Sequence, residues 1–299
     1  MSTNERQQSY ALPIAMMFAL FFMIAFVTGL QNPMGVIVKN QFQASNLLSQ
    51  LGNFANFLAY AFMGIPAGLM LQKIGYKKTA LTAILVGIAG VAITFFSGKI
   101  ESFAVYLIGA FVGGFSMCML NTVVNPMLNT LGGEGKRGNQ LLQFGGTLNS
   151  MGATIVPVLV GYLMGDVAKA TISDANPALF LAIGIFVLAF IVLYSMSIPE
   201  PHIVAEKSTE KNTHSPLSFR HFVLGAIAIF VYVGVEVGIP NIANLYMTGD
   251  LQINATTAGT VVGTYWFLML VGRLTGGVLG SKFSSKSMLI SNFPTSFQN

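Results

Sequence analysis

The chain is short of charge, of cysteine and of histidine. Of its 299 residues, 15 are Lys or Arg and 10 are Asp or Glu, so 8% carry charge. Soluble domains carry about 25%, which excludes an ordinary cytosolic enzyme. Disorder demands high charge and low hydrophobicity, whereas 54% of this chain is hydrophobic and its mean hydropathy is +0.69. Cys118 stands alone, which excludes an intramolecular disulfide framework and a Cys-based zinc site. Two of the three histidines, His202 and His214, fall in a polar stretch where a solvated side chain is the expectation. The sequence has no His-Glu-x-x-His, no paired intramembrane acids and no Ser/His/Asp set, so a membrane enzyme is not expected. The pI of 9.3 does not mark a nucleic-acid binder, because the basic residues are scattered along a greasy chain. No cofactor or metal site is expected. A polytopic, all-α membrane protein remains.

A membrane helix needs about 20 mostly apolar residues. Eight segments qualify: 12–38, 47–72, 79–98, 103–131, 139–164, 177–198, 220–247 and 257–281. The first is too long for a signal-peptide core and has no small-x-small cleavage site after it. With the N-terminus in the cytoplasm, Arg6, Lys73, Lys77, Lys78, Lys136, Arg137, Lys207, Lys211, Arg220, Arg273, Lys282 and Lys286 fall inside, and Lys39, Lys99 and Lys169 outside. That bias fits the positive-inside rule. It predicts a multi-pass protein of the cytoplasmic (inner) membrane.

The longest polar stretch, PEPHIVAEKSTEKNTHSPLS, has linker composition and separates two similar halves. Span two ends GLMLQKIGYKK and span eight ends GVLGSKFSSKS, so Gly68 aligns with Gly277, Lys73 with Lys282 and Lys77 with Lys286. Span one carries Gly29-Leu-Gln31 ahead of Pro33, and span seven carries Gly234-Val-Glu236 ahead of Pro240. Parallel repeats of this kind mark secondary transporters. The expected organisation is a six-helix bundle over 1–198, a cytoplasmic linker over 199–218, two helices of a second bundle over 219–281, and a tail over 282–299. The tail SNFPTSFQN is polar and contains Pro294. Against a symmetric six-plus-six protein, about four helices are expected to be missing, as in a truncated product that does not transport by itself.

The segment GLMLQKIGYKK resembles the loop-two signature of the major facilitator superfamily, with Gln72 where that signature has Asp. Its Gly68, Lys73, Gly75, Lys77 and Lys78, together with Arg273 of span eight, are then the conformational loop set. Three further segments resemble the fucose permease and glucose/galactose permease family. They are NTVVNPMLNTLG (Asn121 to Gly132), TLNSMG (Thr147 to Gly152), and YVGVEVGIPN (Tyr232 to Asn241) followed by Tyr265, Trp266, Gly272 and Arg273. The resemblance implies a sugar:cation symporter with its site near mid-membrane between two halves. Asn32 and Asn121 stand where the fucose permease pattern has acids, and Gly146 stands where relatives show Gln. Fucose–proton symport is therefore less directly implied than glucose or galactose transport with H+ or Na+.

The residues support a site by their own chemistry. Glu236 is the one acid well inside a predicted span. A charge at a helix centre costs about 2.5–3.5 kcal/mol on insertion scales, so such a group faces water or a partner. It can exchange protons, hold Na+ or hold a sugar hydroxyl, and it is the expected cation-coupling group. Carboxamides offer two donors and an acceptor, which suits hydroxyl-rich solutes. The expected substrate set is Gln31, Asn32, Asn53, Asn56, Asn121, Asn125, Gln143, Asn149 and Glu236, with Tyr265 and Trp266 as an aromatic wall. Gln50, Asn53, Asn56 and Tyr60 share one face of span two by spacing. Gly64/Gly68, Gly272/Gly276 and Gly109/Gly113/Gly114 read as small-residue packing faces. Asn125-Pro126 is expected to kink span four. Gly132 to Gly135 lacks the Gly-Lys-Ser/Thr ending of a phosphate loop and reads as a turn. The expected partners are a small sugar, a coupling cation and the bilayer, with no nucleic acid, for a monomer. A facilitator of another polar solute is the alternative.

Overall fold

The computed structural model describes residues 10–133, 136–164, 170–200, 215–253, 255–280, 282–283 and 287–288. Among them there are helices and turns and no strand. In chain order the helices are α1 (Ala11–Gln41), α2 (Asn46–Ser49), α3 (Leu51–Lys99), α4 (Phe103–Leu131), α5 (Arg137–Met164), α6 (Asn176–Ser195), α7 (Arg220–Gly249) and α8 (Ala255–Leu279). Short 3-10 turns occupy Ile172–Ala175 and Pro216–Ser218. Each expected span coincides with a helix. Six described helices are long and apolar enough to cross a membrane by length and composition.

The boundary between spans two and three differs from the expectation. The expected six-residue loop contracts to one non-helical residue, Gly75, at φ 83° and ψ 177°. Positive φ suits glycine, which has no Cβ to clash. α3 runs for 49 residues, about 74 Å at helical rise, and so supplies two crossings that reverse at Gly75. The second arm starts at Tyr76, whose backbone N–H donates to Glu200 Oε2 at 2.6 Å; the Lys77 N–H donates to Glu200 Oε1 at 2.9 Å. This carboxylate fills the orphan-donor positions of a helix start and complements its dipole.

The chain divides into two units: residues 1–204 with 270–299, and residues 205–269. In the larger unit, the second arm of α3 lies against α4 backbone to backbone. A Cβ on Gly90 would sit 2.6 Å from the Gly113 nitrogen. Small residues permit that approach, and in a bilayer close packing drives helix association, because lipid is as apolar as leucine. Buried Met17, Leu20, Met23 and Ile37 of α1 belong to one core with Met117, Leu120, Val124 and Met127 of α4, Val156 of α5 and Phe186 of α6. The packing role expected of Gly109 and Gly114 holds, since both abut the facing helix. At Gly64, Gly68 and Gly272 a Cβ would meet nothing within 4 Å among the described residues; Gly64 and Gly272 are exposed and Gly68 is half-buried.

Helix ends are tied by side chains. Ser102 caps α4 by accepting from the Val105 N–H. Gln41 Oε1, at the end of α1, accepts from the Ile172 N–H at 2.8 Å. In the smaller unit, α7 is exposed along its apolar length, with Phe230, Val231 and Ile242 all outward. α4 passes Pro126 without leaving helical geometry.

Candidate functional site

In the larger unit, α3 and α4 assemble a polar line. Asn121 Nδ2 donates to the Tyr60 hydroxyl at 3.1 Å and to the Met117 carbonyl at 3.0 Å. Asn125 Nδ2 donates in turn to the Asn121 carbonyl at 2.9 Å and reaches Asn121 Oδ1 at 3.5 Å. The four-residue spacing of 117, 121 and 125 stacks these groups on one helix face. Asn53 Nδ2 donates to Gln50 Oε1 at 3.1 Å, so this pair satisfies itself on α3. Asn56 is 2% exposed and wedged against α4 at Gly114. Of the face expected on span two, Gln50, Asn53 and Tyr60 are half-buried and Asn56 is fully enclosed.

Gln31 lies on α1 between Leu30 and the Pro33 turn. Its Oε1 is buried and has no hydrogen-bond partner among the described residues. The Asn32 side chain lies outside those described. On α5, Asn149 is half-buried, while Gln143 is exposed and sits beside Gly276 and Gly277 of α8.

The same unit holds a seam along α5 that sequence reading missed. Arg273 NH1 donates to the Gly146 carbonyl at 3.2 Å and to Ser150 Oγ at 2.8 Å. Gln140 Nε2 donates to the Gly277 carbonyl at 3.2 Å, and Lys136 Nζ to the Lys282 carbonyl at 2.9 Å. A Cβ at Gly146 would lie 3.3 Å from Arg273 Cδ, so the missing side chain makes room for the arginine stem. The legible signal was Gly146 itself, in a position expected to carry an amide.

The loop set separates into two kinds. Lys77 Nζ donates to the Tyr194 carbonyl at 2.8 Å and the Met196 carbonyl at 2.6 Å, at the end of α6. Lys73 and Lys78 are exposed. Glu200, absent from the expected set, answers Lys77: each charged side chain caps the helix end that favours its sign. Its signal was an acid between two prolines directly after span six. The rest of the expected linker, 201–214, with His202 and His214, lies outside the described residues, as do Lys169 and Lys286.

In the smaller unit, Glu236 is half-buried on α7. Its backbone carbonyl accepts from the Tyr265 hydroxyl at 3.1 Å. Pro240, four residues on, has no N–H to give that carbonyl, so the phenol supplies the missing donor. Tyr265 and Trp266 meet edge to face, with centroids 5.4 Å apart. Asn241 Nδ2 returns to the Val237 carbonyl at 2.9 Å. Among the described residues no three His, Cys, Asp or Glu side chains cluster as metal ligands would.

The family model described as Major Facilitator Superfamily matches residues 17–297. The chain is similar to a glucose/galactose transporter of Brucella abortus, at 30% identity over 284 residues, covering 91% of this chain and 68% of that protein. It is 29% identical to a putative glucose/galactose transporter of Helicobacter pylori, covering 96% of this chain and 72% of that one. The crystal structure of the Escherichia coli fucose:proton symporter shares the fold, with TM-score 0.72, 22% identity, and coverage of 93% of this chain and 73% of that one. The chain belongs to the Major Facilitator Superfamily.

Proposed function

We propose that this member of the Major Facilitator Superfamily imports a hexose such as glucose, galactose or fucose with a cation, by alternating access, and is not an enzyme. The observation that carries this is the polar line Asn125–Asn121–Tyr60 inside otherwise apolar helices. Polar groups at membrane depth are retained where they line a solute path or a wet cavity. The names of its relatives, glucose/galactose transporters and a fucose:proton symporter, favour a sugar over another polar solute.

Glu236 is the coupling group in this reading, and Gln31, Asn32, Asn53, Asn56, Asn121, Asn125, Gln143, Asn149, Tyr265 and Trp266 are the substrate groups. The cation is H+ or Na+, with the proton favoured by the name of the fucose relative. The division into a bundle over 1–198, a linker over 199–218, the start of a second bundle over 219–281 and a tail over 282–299 belongs to the same proposal. So do a monomeric state, an inner-membrane location and a cytoplasmic N-terminus. Gly68, Lys73, Gly75, Lys77, Lys78 and Arg273 serve the conformational change.

The test is uptake of labelled D-glucose, D-galactose and L-fucose by proteoliposomes under an imposed proton or sodium gradient. Accumulation that follows one gradient supports the reading. Equilibration that ignores both gradients points to a facilitator, and preference for a solute without sugar hydroxyls removes the substrate assignment.

A further inference from the structure

Among the hydrogen-bonding groups left unspent in the described residues of the larger unit, two lie at a common depth on α1 and α3, and they are of opposite kind. The first is the phenolic hydrogen of Tyr60. Asn121 Nδ2 must face Met117, because turning the amide over would set Oδ1 against the Met117 carbonyl, oxygen to oxygen. With that orientation fixed, one amide hydrogen goes to Met117 and the other to Tyr60. The Tyr60 oxygen is thus an acceptor, and its own hydrogen cannot return to Asn121. No acceptor takes that hydrogen among the described residues. The second unspent group is Gln31 Oε1, a buried acceptor without a donor among the described residues. Gln31 lies ten residues before the end of α1 at Gln41, and Tyr60 nine residues after the start of α3 at Leu51. At helical rise both are about 14–15 Å from the same end of the bundle, since Gln41 and Leu51 flank one short connection.

We propose that Tyr60 and Gln31 form the donor and acceptor of a recognition site for a neutral hydroxyl. The proposal deepens the sugar reading above and rests on it. A hydroxyl is the simplest group that both gives and takes a hydrogen bond. A carboxylate can satisfy only Tyr60, and an ammonium only Gln31, so the pair favours neutral polyols over charged analogues. Tyr60 is also polarised for the role. Donation from the Asn121 amide into the phenol oxygen strengthens the phenol as a donor, because bonds in a chain polarise one another. The line therefore ends in a donor without any titratable carboxyl on α1, α3 or α4.

The experiment is equilibrium binding of D-galactose to the full chain in nanodiscs, by calorimetry, with the four monodeoxy-D-galactoses as comparators. Losing one such bond is worth about tenfold in affinity. Tyr60→Phe is expected to weaken D-galactose about that much. One deoxy sugar should already be weak on the wild type and lose nothing further on Tyr60→Phe, which identifies the hydroxyl that is read. Gln31→Met should also weaken D-galactose, yet raise the melting temperature of the ligand-free protein, since it removes a buried acceptor without a partner. Uniform loss across all the sugars together with a lower melting temperature would assign Tyr60 a structural role and overturn the proposal. Wild-type binding of D-galactose that Tyr60→Phe leaves unchanged overturns it alone. Failure of the wild type to bind D-galactose, D-glucose or L-fucose overturns the sugar reading and this proposal together.

Discussion

The hydroxyl of Tyr265 donates to the backbone carbonyl of Glu236 at 3.1 Å, in the place where Pro240 withholds an amide. The bond joins α7 to α8 at the level of the one acid in the interior of α7. The hydroxyl end of Tyr265 thus holds the Glu236 backbone, while the aromatic-wall role expected from the sequence concerns the face of its ring.

Removing that hydroxyl should take from the carbonyl the interhelical donor it has from α8. Interhelical hydrogen bonds in membranes average about 0.6 kcal/mol and reach about 1.7. With no amide at position 240 as a substitute, Tyr265→Phe belongs near the upper figure, about 1.5 kcal/mol. Pro240→Ala restores the amide, so Tyr265→Phe should cost much less in that background. Thermal unfolding of the two single variants and the double variant in detergent gives the coupling. Additive losses would show that the phenol does not stand in for the amide.

Glu236→Gln keeps the shape and removes the charge. If the carboxylate carries the coupling cation, gradient-driven accumulation should fall by at least about tenfold while sugar exchange at equal concentrations persists, because only the driven step requires the cation. Both assays are run on the same proteoliposomes. Equal loss in both would place Glu236 in substrate binding instead.

Glu200 and Lys77 cap each other's helices, and their losses should overlap. Charge-assisted hydrogen bonds contribute about 1.5–3 kcal/mol each when intact. Glu200→Ala frees the Tyr76 and Lys77 amides, and Lys77→Met frees the Tyr194 and Met196 carbonyls. Each single variant should melt earlier. The double variant should melt later than the sum implies, since both changes loosen one junction of α3 with α6. Gly75→Ala at the same junction forces a Cβ into the left-handed region, costing about 1–2 kcal/mol.

The helices were legible because the bilayer sets their length and leaves few charges in them, so eight apolar runs became eight helical stretches. The family was legible too, from Gly68 to Lys78 and from the Asn121 segment. The connections were not. The reversal between spans two and three depends on the positive φ of Gly75, which a hydropathy window cannot register. Glu200 was absorbed into a stretch read as linker, although its carboxylate starts a helix more than 120 residues earlier in the chain. Amide spacing placed Asn121 and Asn125 on one face but could not say which amide atom faces Tyr60. That depended on a carbonyl of the same helix, Met117.

Arg273 and Gly146 are a matched pair, and exchanging either should be costly in a specific way. The guanidinium donates to a carbonyl and a hydroxyl 3.2 and 2.8 Å away, and its stem occupies space that exists because residue 146 has no side chain. Both bonds leave NH1, and a lysine ammonium sits one bond nearer the backbone, so Arg273→Lys should keep the charge and weaken both bonds. Gly146→Gln would put a Cβ 3.3 Å from Arg273 Cδ and push the stem aside, breaking both. If the seam along α5 steadies one conformer, Gly146→Gln should expose it more than Arg273→Lys. Cysteine accessibility checks this, using a reporter cysteine at Gln140 in a Cys118→Ser background, with Gln140 chosen because it lies in the seam and faces Gly277. The expected order of labelling rate is Gly146→Gln above Arg273→Lys above the reporter protein alone. Equal rates in all three would mean that the arginine sits on α5 without closing it, and its conformational role would then be lost.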